Sequence, residues 1–253
     1  MDSAIALDRT TFESMTDELE LRRRVEANIE AVRARIAGAE ARAGRPSGSV
    51  TLVAVSKLQP IEAMRAAIEA RCLDLGENYV QEAELKFAEL KGSGMRFHLL
   101  GNLQRNKARK AAAIFDVVQS IDDPRLARAL GTRAVELGKQ LEVLVEVNSS
   151  GEAGKHGVPP DQTLQLCEAV SMEPGLLLNG LMTVGPLAGG LDGARRCFDG
   201  VKVLFDRLPA ANRRVLSMGM SGDFETAIEA GSTMVRVGTA VFGSRRQTGW
   251  ESK

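Results

Sequence analysis

Between residues 51 and 237 the chain alternates, eight times over, a short run of β-branched or leucine-rich residues with a polar or glycine-containing turn and an alanine-rich segment. The runs fall at 51–56, 72–75, 97–100, 117–120, 142–147, 177–182, 214–217 and 234–237, and helical patterns cover 61–70, 80–90, 125–137, 160–170, 193–208 and 224–230. Parallel strands need a crossover, usually a helix, so this alternation predicts an α/β protein with a parallel sheet. Eight units across about 200 residues is the count of a single (β/α)8 TIM-like barrel. An open, doubly wound sheet is the alternative.

An extra helix precedes the first run. Over residues 18–43, Leu21, Val25, Ile29, Val32 and Ile36 recur at steps of three and four, which marks an amphipathic helix, and Gly44 and Pro46 end it. No composition break or glycine- and proline-rich linker divides the rest of the chain. The expected organisation is one barrel domain at 18–245, between a loose N-terminal tail at 1–17 and a C-terminal tail at 246–253. A single barrel of this kind permits a monomer.

The 253-residue chain carries 33 basic and 33 acidic residues, so no long-range field draws it to nucleic acid or to an anionic membrane. Residues 1–17 lack the basic and apolar regions of a signal peptide, and no run reaches the roughly 20 apolar residues that span a bilayer. The three cysteines, Cys72, Cys167 and Cys197, form no C-x-x-C pair. A soluble protein of the reducing cytoplasm is therefore expected. With only His98 and His156, there is little material for a histidine metal site or a Ser-His-Asp triad. His98, in Arg-Phe-His-Leu-Leu, reads as a hydrogen-bonded histidine at a strand end.

Lys57 closes the run Ser49-Val-Thr-Leu-Val-Ala-Val-Ser-Lys57 and puts a primary amine at the end of an apolar strand. By strand alternation it shares a face with Val55, Val53 and Thr51. A lysine whose ammonium is disfavoured by burial presents a neutral amine that attacks carbonyls, forming a Schiff base. The alternative is a strand-end lysine whose head snorkels to solvent.

In a barrel, active groups gather at the C-terminal strand ends, and phosphate commonly sits by the loops after strands 7 and 8. The seventh run leads into Ser217-Met-Gly-Met-Ser-Gly-Asp223, where Gly219 and Gly222 free backbone amides and Ser221 adds a hydroxyl before a helix. The eighth leads into Val237-Gly-Thr-Ala-Val-Phe-Gly243, a second glycine and hydroxyl pair at Gly238 and Thr239. Either loop alone is also an ordinary βα turn with an N-cap. Arg236 stands inside the eighth run, and a buried arginine must be paired or meet a ligand. It has Glu146 as a structural partner, or a ring nitrogen or anionic oxygen as a ligand. Amine, phosphate cradle and arginine together indicate an aldehyde-bearing phosphorylated cofactor, for which pyridoxal 5'-phosphate is the obvious candidate.

Six segments carry a family resemblance: Ala54-Val-Ser-Lys57, Gly76-Glu-Asn-Tyr-Val-Gln-Glu82, His98-Leu-Leu-Gly-Asn-Leu-Gln-Arg-Asn-Lys107, Gly180-Leu-Met182, Ser217-Met-Gly-Met-Ser221 and Val235-Arg-Val-Gly-Thr-Ala240. In order, over about residues 18–245, they resemble the pyridoxal phosphate homeostasis protein family, whose members share the barrel of the alanine racemase N-terminal domain. The resemblance implies an intracellular protein that holds pyridoxal phosphate as an internal aldimine and buffers or delivers it, with apo-enzymes that require the cofactor as its partners. It implies Lys57 as the Schiff-base lysine, Ser221 with the Gly238 and Thr239 amides on the phosphate, Arg236 on the pyridine nitrogen and Asn78 near the ring. Asn102 and Leu103 before Gln104 depart from the family pattern and bear on a loop near the mouth.

An arginine donating to the pyridine nitrogen leaves that nitrogen unprotonated and weakens the ring as an electron sink. A racemase of related fold adds an opposing acid or base, usually a tyrosine brought with a second β domain. The single tyrosine here, Tyr79, reads as a packing residue, and no catalytic residue is assigned. Arg105, Lys107, Arg109 and Lys110 read as a solvated basic face. Lys155 and His156 lie in a glycine-rich loop after the fifth run and are candidates to flank the mouth. Two alternatives stay open: an amino-acid racemase-like enzyme, and an aldolase whose lysine meets a sugar phosphate and retains no chromophore.

Overall fold

The structure, a computed structural model, describes residues 9–152, 154–186 and 188–244. Helix α1 (Arg9–Arg42) leads into eight strands: β1 (Thr51–Val55), β2 (Asp74–Glu77), β3 (Arg96–Leu99), β4 (Val117–Ile121), β5 (Leu141–Glu146), β6 (Leu176–Met182), β7 (Val215–Ser217) and β8 (Met234–Val237). They close in sequence order into a parallel barrel, with β8 paired to β1. The alternation of runs and helices is thus a (β/α)8 barrel, and the open sheet is set aside. Its outer helices are α2 (Ile61–Glu69), α3 (Val80–Leu90), α4 (Ala108–Ile114), α5 (Pro124–Glu136), α6 (Thr163–Ser171), α7 (Gly190–Asp206), α8 (Phe224–Glu229) and the single turn α9 (Thr239–Phe242).

Each strand is covered on both faces, which is why it reads as a near-continuous apolar run. Leu75, Phe97, Val118, Val143, Val145, Leu181, Leu216 and Val235 are buried in the layer between strands and helices. α1 adds the buried Val25, Ile29, Val32 and Ile36, so the predicted stripe is its contact face. It lies against α2, α8 and α9 and so spans the seam where the barrel closes. Asn28 Nδ2 donates to the Val241 carbonyl at 2.9 Å, and Arg35 pairs with Glu225 at 3.0 Å while covering the Phe224 ring.

Three local differences from the sequence reading have physical causes. The helix expected from residue 18 begins at Arg9, so residues 9–17 are not a loose tail. Their acid- and hydroxyl-rich sequence carries no apolar stripe, yet it propagates a helix nucleated by the packed turns after it. Residues 1–8 and the expected C-terminal tail lie outside the described residues. α4 was visible only as a basic cluster, because its buried face is three alanines, Ala108, Ala111 and Ala112, with Ile114 as its one large apolar residue. Finally, the segment after β8 is the turn α9 rather than an open loop, with Val241 and Phe242 amides both bonded to the Gly238 carbonyl at 2.9 Å.

Candidate functional site

Barrel closure turns distant sequence into neighbouring loops. β7, β8, β1 and β2 are consecutive around the barrel, and Val53 of β1 stands in register with Arg236 of β8. At their C-terminal ends lies a cavity of about 280 Å³ whose wall includes Lys57, Asn78, Ser221, Arg236, Gly238 and Thr239. All six residues singled out from the sequence therefore meet at one place. Val55, Gln59, Leu100, Met220, Gly222 and Gly243 complete the lining. Gly222 and Val55 were already marked by the sequence, whereas Gln59, Leu100 and Met220 were not assigned to a site, because amide and apolar side chains there carry no chemical signature of their own.

Lys57 stands two residues beyond the end of β1 and is half-buried, so it is less enclosed than a strand interior position. The peptides on both sides of it are tied to a buried ion network. Lys86 Nζ donates to the Ser56 carbonyl at 2.8 Å, to Glu77 Oε1 at 2.7 Å and to Glu82 Oε1 at 2.6 Å. The Ser56 hydroxyl donates to Glu77 Oε1 at 2.8 Å, and the Leu58 N–H donates to Glu82 Oε1 at 2.7 Å. Leu58 has a φ of 59°, a left-handed conformation that costs a branched residue about 1–2 kcal/mol and needs such support. Burial pushes the Glu77 carboxyl upward, while the Lys86 charge opposes it. The sequence signal for this network was the acidic pair in Gly-Glu-Asn-Tyr-Val-Gln-Glu with Lys86 four residues beyond Glu82.

Asn78 follows β2 and is overlaid by the loop after β3. A Cβ at Gly101 would stand 2.3 Å from the Asn78 carbonyl oxygen, so only glycine lets this loop pass over it. On the other side, the loop after β7 does not use its glycines alike. At Gly219, with φ 93°, a Cβ would lie 2.7 Å from the Phe224 Cα and the Ala227 Cβ, so this glycine serves packing against α8. At Gly222 no atom lies within 4 Å of the corresponding position, and the residue is itself part of the cavity wall. The Ala240 N–H donates to Ser221 Oγ at 3.4 Å, joining the loop after β7 to α9.

Arg236 is buried in β8. Its Nη1 donates to Ser217 Oγ at 2.6 Å and its Nη2 to the Thr183 carbonyl at 2.7 Å, in place of the direct ion pair with Glu146 that was one expectation. Burial depresses its pKa to about 10, opposed by the charges of Glu146 and Asp223, so it stays a cation and pure donor at neutral pH. Glu146, at the end of β5, is pushed up to about 7 by burial and by Asp122, with Arg236 acting in the opposite direction.

The remaining candidates fall elsewhere. Tyr79 is 43% exposed, not the packing residue expected, because it is the N-cap residue of α3, in the turn two residues beyond the end of β2. His98 is fully buried in β3 and bonded to Asp74 and Gln119, as a satisfied strand-end histidine. Arg105, Arg109 and Lys110 are exposed, and Lys110 pairs with Glu84. Lys155 donates to the Gly185 carbonyl at 3.0 Å, bridging the loops after β5 and β6, and is not on the cavity wall. Among the described residues no group of histidine, cysteine or acidic side chains could hold a metal ion, and no helix is long and apolar enough to cross a membrane.

Residues 27–246 match the model of the alanine racemase N-terminal domain family. The pyridoxal phosphate homeostasis protein of Vibrio alginolyticus is 41% identical over 87% of this chain and 97% of its own length. That of Escherichia coli K12 is 40% identical over 86% and 95%. Among solved structures, PipY of Synechococcus elongatus with PLP bound superposes with a TM-score of 0.74 at 33% identity, covering 87% of this chain and all of that one. An alanine racemase from Clostridium difficile, 15% identical with a TM-score of 0.68, shares the fold. With relatives this similar over nearly their whole length and the six motif positions gathered on one cavity, the chain belongs to the pyridoxal phosphate homeostasis protein family.

Proposed function

We propose that this protein binds pyridoxal 5'-phosphate in the cavity at the β7–β8–β1–β2 end of the barrel, linked to Lys57 as an internal aldimine, and serves intracellular homeostasis or delivery of the cofactor without a turnover reaction. One observation carries it: an amine, an obligate cationic donor and two hydroxyl- and amide-bearing loops line a single cavity of about 280 Å³. That volume lies near the lower end of small-molecule sites, about 300–1,000 Å³, and fits one compact ligand. The residues suit the three parts of this cofactor. Lys57 condenses with the aldehyde and releases water. Arg236 donates to the pyridine nitrogen, and Ser221 with the Gly238 and Thr239 amides takes the phosphate. Asn78 stands at the ring. Bound in this way, the cofactor would supply a masked aldehyde, from which an incoming amine could displace and free the Lys57 amine.

Two features support holding over turnover. Arg236 donates without giving up its proton near neutral pH, which weakens the ring as an electron sink. Among the described lining residues there is no carboxylate, imidazole, thiol or phenol to act as a second acid or base. Apo-enzymes that require the cofactor are the proposed acceptors. Titration with pyridoxal phosphate tests the reading: the protein should become yellow with saturation at one equivalent, and Lys57→Ala should fold normally and stay colourless. A Lys57→Ala variant with an unchanged spectrum defeats the assignment.

A further inference from the structure

The polar groups inside the barrel form one unbroken line from Arg236, on the cavity, to Asp74 at the opposite end. Arg236 Nη1 lies 2.6 Å from Ser217 Oγ, and Ser217 Oγ lies 2.7 Å from Gln119 Oε1, crossing the interior from β7 to β4. Gln119 Nε2 is 3.0 Å from His98 Nδ1, and His98 Nε2 is 2.8 Å from Asp74 Oδ1. Ser217, Gln119 and His98 are each fully buried, so none of them has water as a substitute partner. A buried polar group left unmated costs about 1–3 kcal/mol, so each must be satisfied along the line.

The two ends set its direction. A guanidinium only donates and a carboxylate only accepts. Ser217 Oγ therefore accepts from Arg236 and turns its own proton to Gln119 Oε1. The Gln119 amide then donates to His98 Nδ1, which must carry no proton, and His98 Nε2–H donates to Asp74. We infer that Ser217, Gln119 and His98 are positioning residues that orient the Arg236 guanidinium toward the cofactor site, with His98 locked as the neutral Nε2–H tautomer. The second bond of Arg236, to the Thr183 carbonyl, fixes the remaining rotation of the group. Other charges face the far end: Arg96 reaches Asp74 at 3.8 Å and pairs with Glu142 of β5, which keeps Asp74 beside a cation. The positioning role rests on the proposed binding of pyridoxal phosphate, whereas the tautomer does not.

The test has a cofactor-free arm and a cofactor arm. The chain has two histidines, so ¹⁵N-histidine labelling with a His156→Gln variant isolates the His98 signals. Expected in the apo protein at neutral pH are an unprotonated Nδ1 and a protonated Nε2. Gln119→Glu, which can only accept, should convert His98 to the imidazolium. Slow rotation of the Arg236 guanidinium in the wild type, seen as separate Nη signals, should become fast in Gln119→Met. In the cofactor arm, Gln119→Met should weaken pyridoxal phosphate binding about tenfold, the effect of loosening one charge-assisted hydrogen bond, and shift the absorbance maximum. Thermal melting verifies that the variants are folded. An Nδ1–H tautomer or an imidazolium in the wild type overturns the inference, as does Gln119→Met with unchanged Arg236 rotation and unchanged binding. If the wild type binds no pyridoxal phosphate, the cofactor reading fails while the His98 tautomer and Arg236 rotation still decide the line itself.

Discussion

Lys57, Ser221 and Arg236 differ in how far their surroundings fix them, and this governs what each substitution should do. Among the described residues Ser221 is tied by the Ala240 N–H at 3.4 Å alone, so its hydroxyl is available to an anion at little cost to the fold. Ser221→Ala should lower affinity for pyridoxal phosphate about tenfold, the worth of one charge-assisted hydrogen bond, with melting temperature nearly unchanged. Equal affinity in a titration removes Ser221 from the phosphate site. Glu146 makes a prediction of the opposite kind, in stability. Its carboxyl has the ordinary value of 4.5 when unfolded and about 7 in the native protein, so within that window the native state holds a proton that the unfolded chain has released. Its effect on stability therefore becomes less favourable as pH rises from about 4.5 to about 7 and levels off above. Glu146→Gln, which mimics the protonated form, should flatten that part of the profile and gain stability at pH 8, on the order of 3 kcal/mol at most. Parallel pH profiles of denaturant unfolding for the two proteins would contradict it.

Elements place these residues through the short segments between them. The β1–α2 turn carrying Lys57 is held by Lys86 and Glu82 of α3 and by Glu77 of β2, so one βα unit shapes the turn of its neighbour. Lys86→Met leaves two buried carboxylates without their cation and should cost about 3–5 kcal/mol in denaturant unfolding. Adding Glu77→Gln and Glu82→Gln to Lys86→Met should restore a large part of the loss. A small effect of Lys86→Met alone would show the network to be dispensable. The strands were legible in sequence because burial on both faces leaves apolar runs with few competing readings, as in Met234–Val237, whose bounds match the expected run. Helix α4 and turn α9 were hidden, the one behind small alanines and the other by its four-residue length. Gln119 was hidden for a different reason. Its polar side chain in an apolar strand was visible, but its partners Ser217 and His98 stand 98 and 21 residues away and are joined only by the closed barrel.

At the scale of the whole molecule, closure is what converts sequence into a site. β8 pairs with β1, so Arg236, Gly238 and Thr239 come beside Lys57, although about 180 residues separate them. α1 lies over this same seam through Val25, Ile29, Val32 and Ile36 and through its bonds to α8 and α9. The cavity end of the barrel is thereby held from outside by α1 and from inside by the line of hydrogen bonds ending at Arg236. Lys57, Ser221, Arg236, Gly238 and Thr239 stood out in the sequence as charged, hydroxyl or glycine positions at strand ends, Asn78 came only from the family resemblance, and barrel topology brings all six to one cavity. Most of the mutual geometry was not legible, since the direct bonds of Arg236 go to Ser217 and Thr183 and the support of Lys57 comes from Lys86. The most direct test of the cofactor site is borohydride reduction of the protein incubated with pyridoxal phosphate, followed by peptide mass mapping. A single reduced adduct on the peptide containing Lys57 is the predicted result. Adducts scattered over exposed lysines, with Lys57 unmodified, would contradict the assignment of this cavity as the cofactor site.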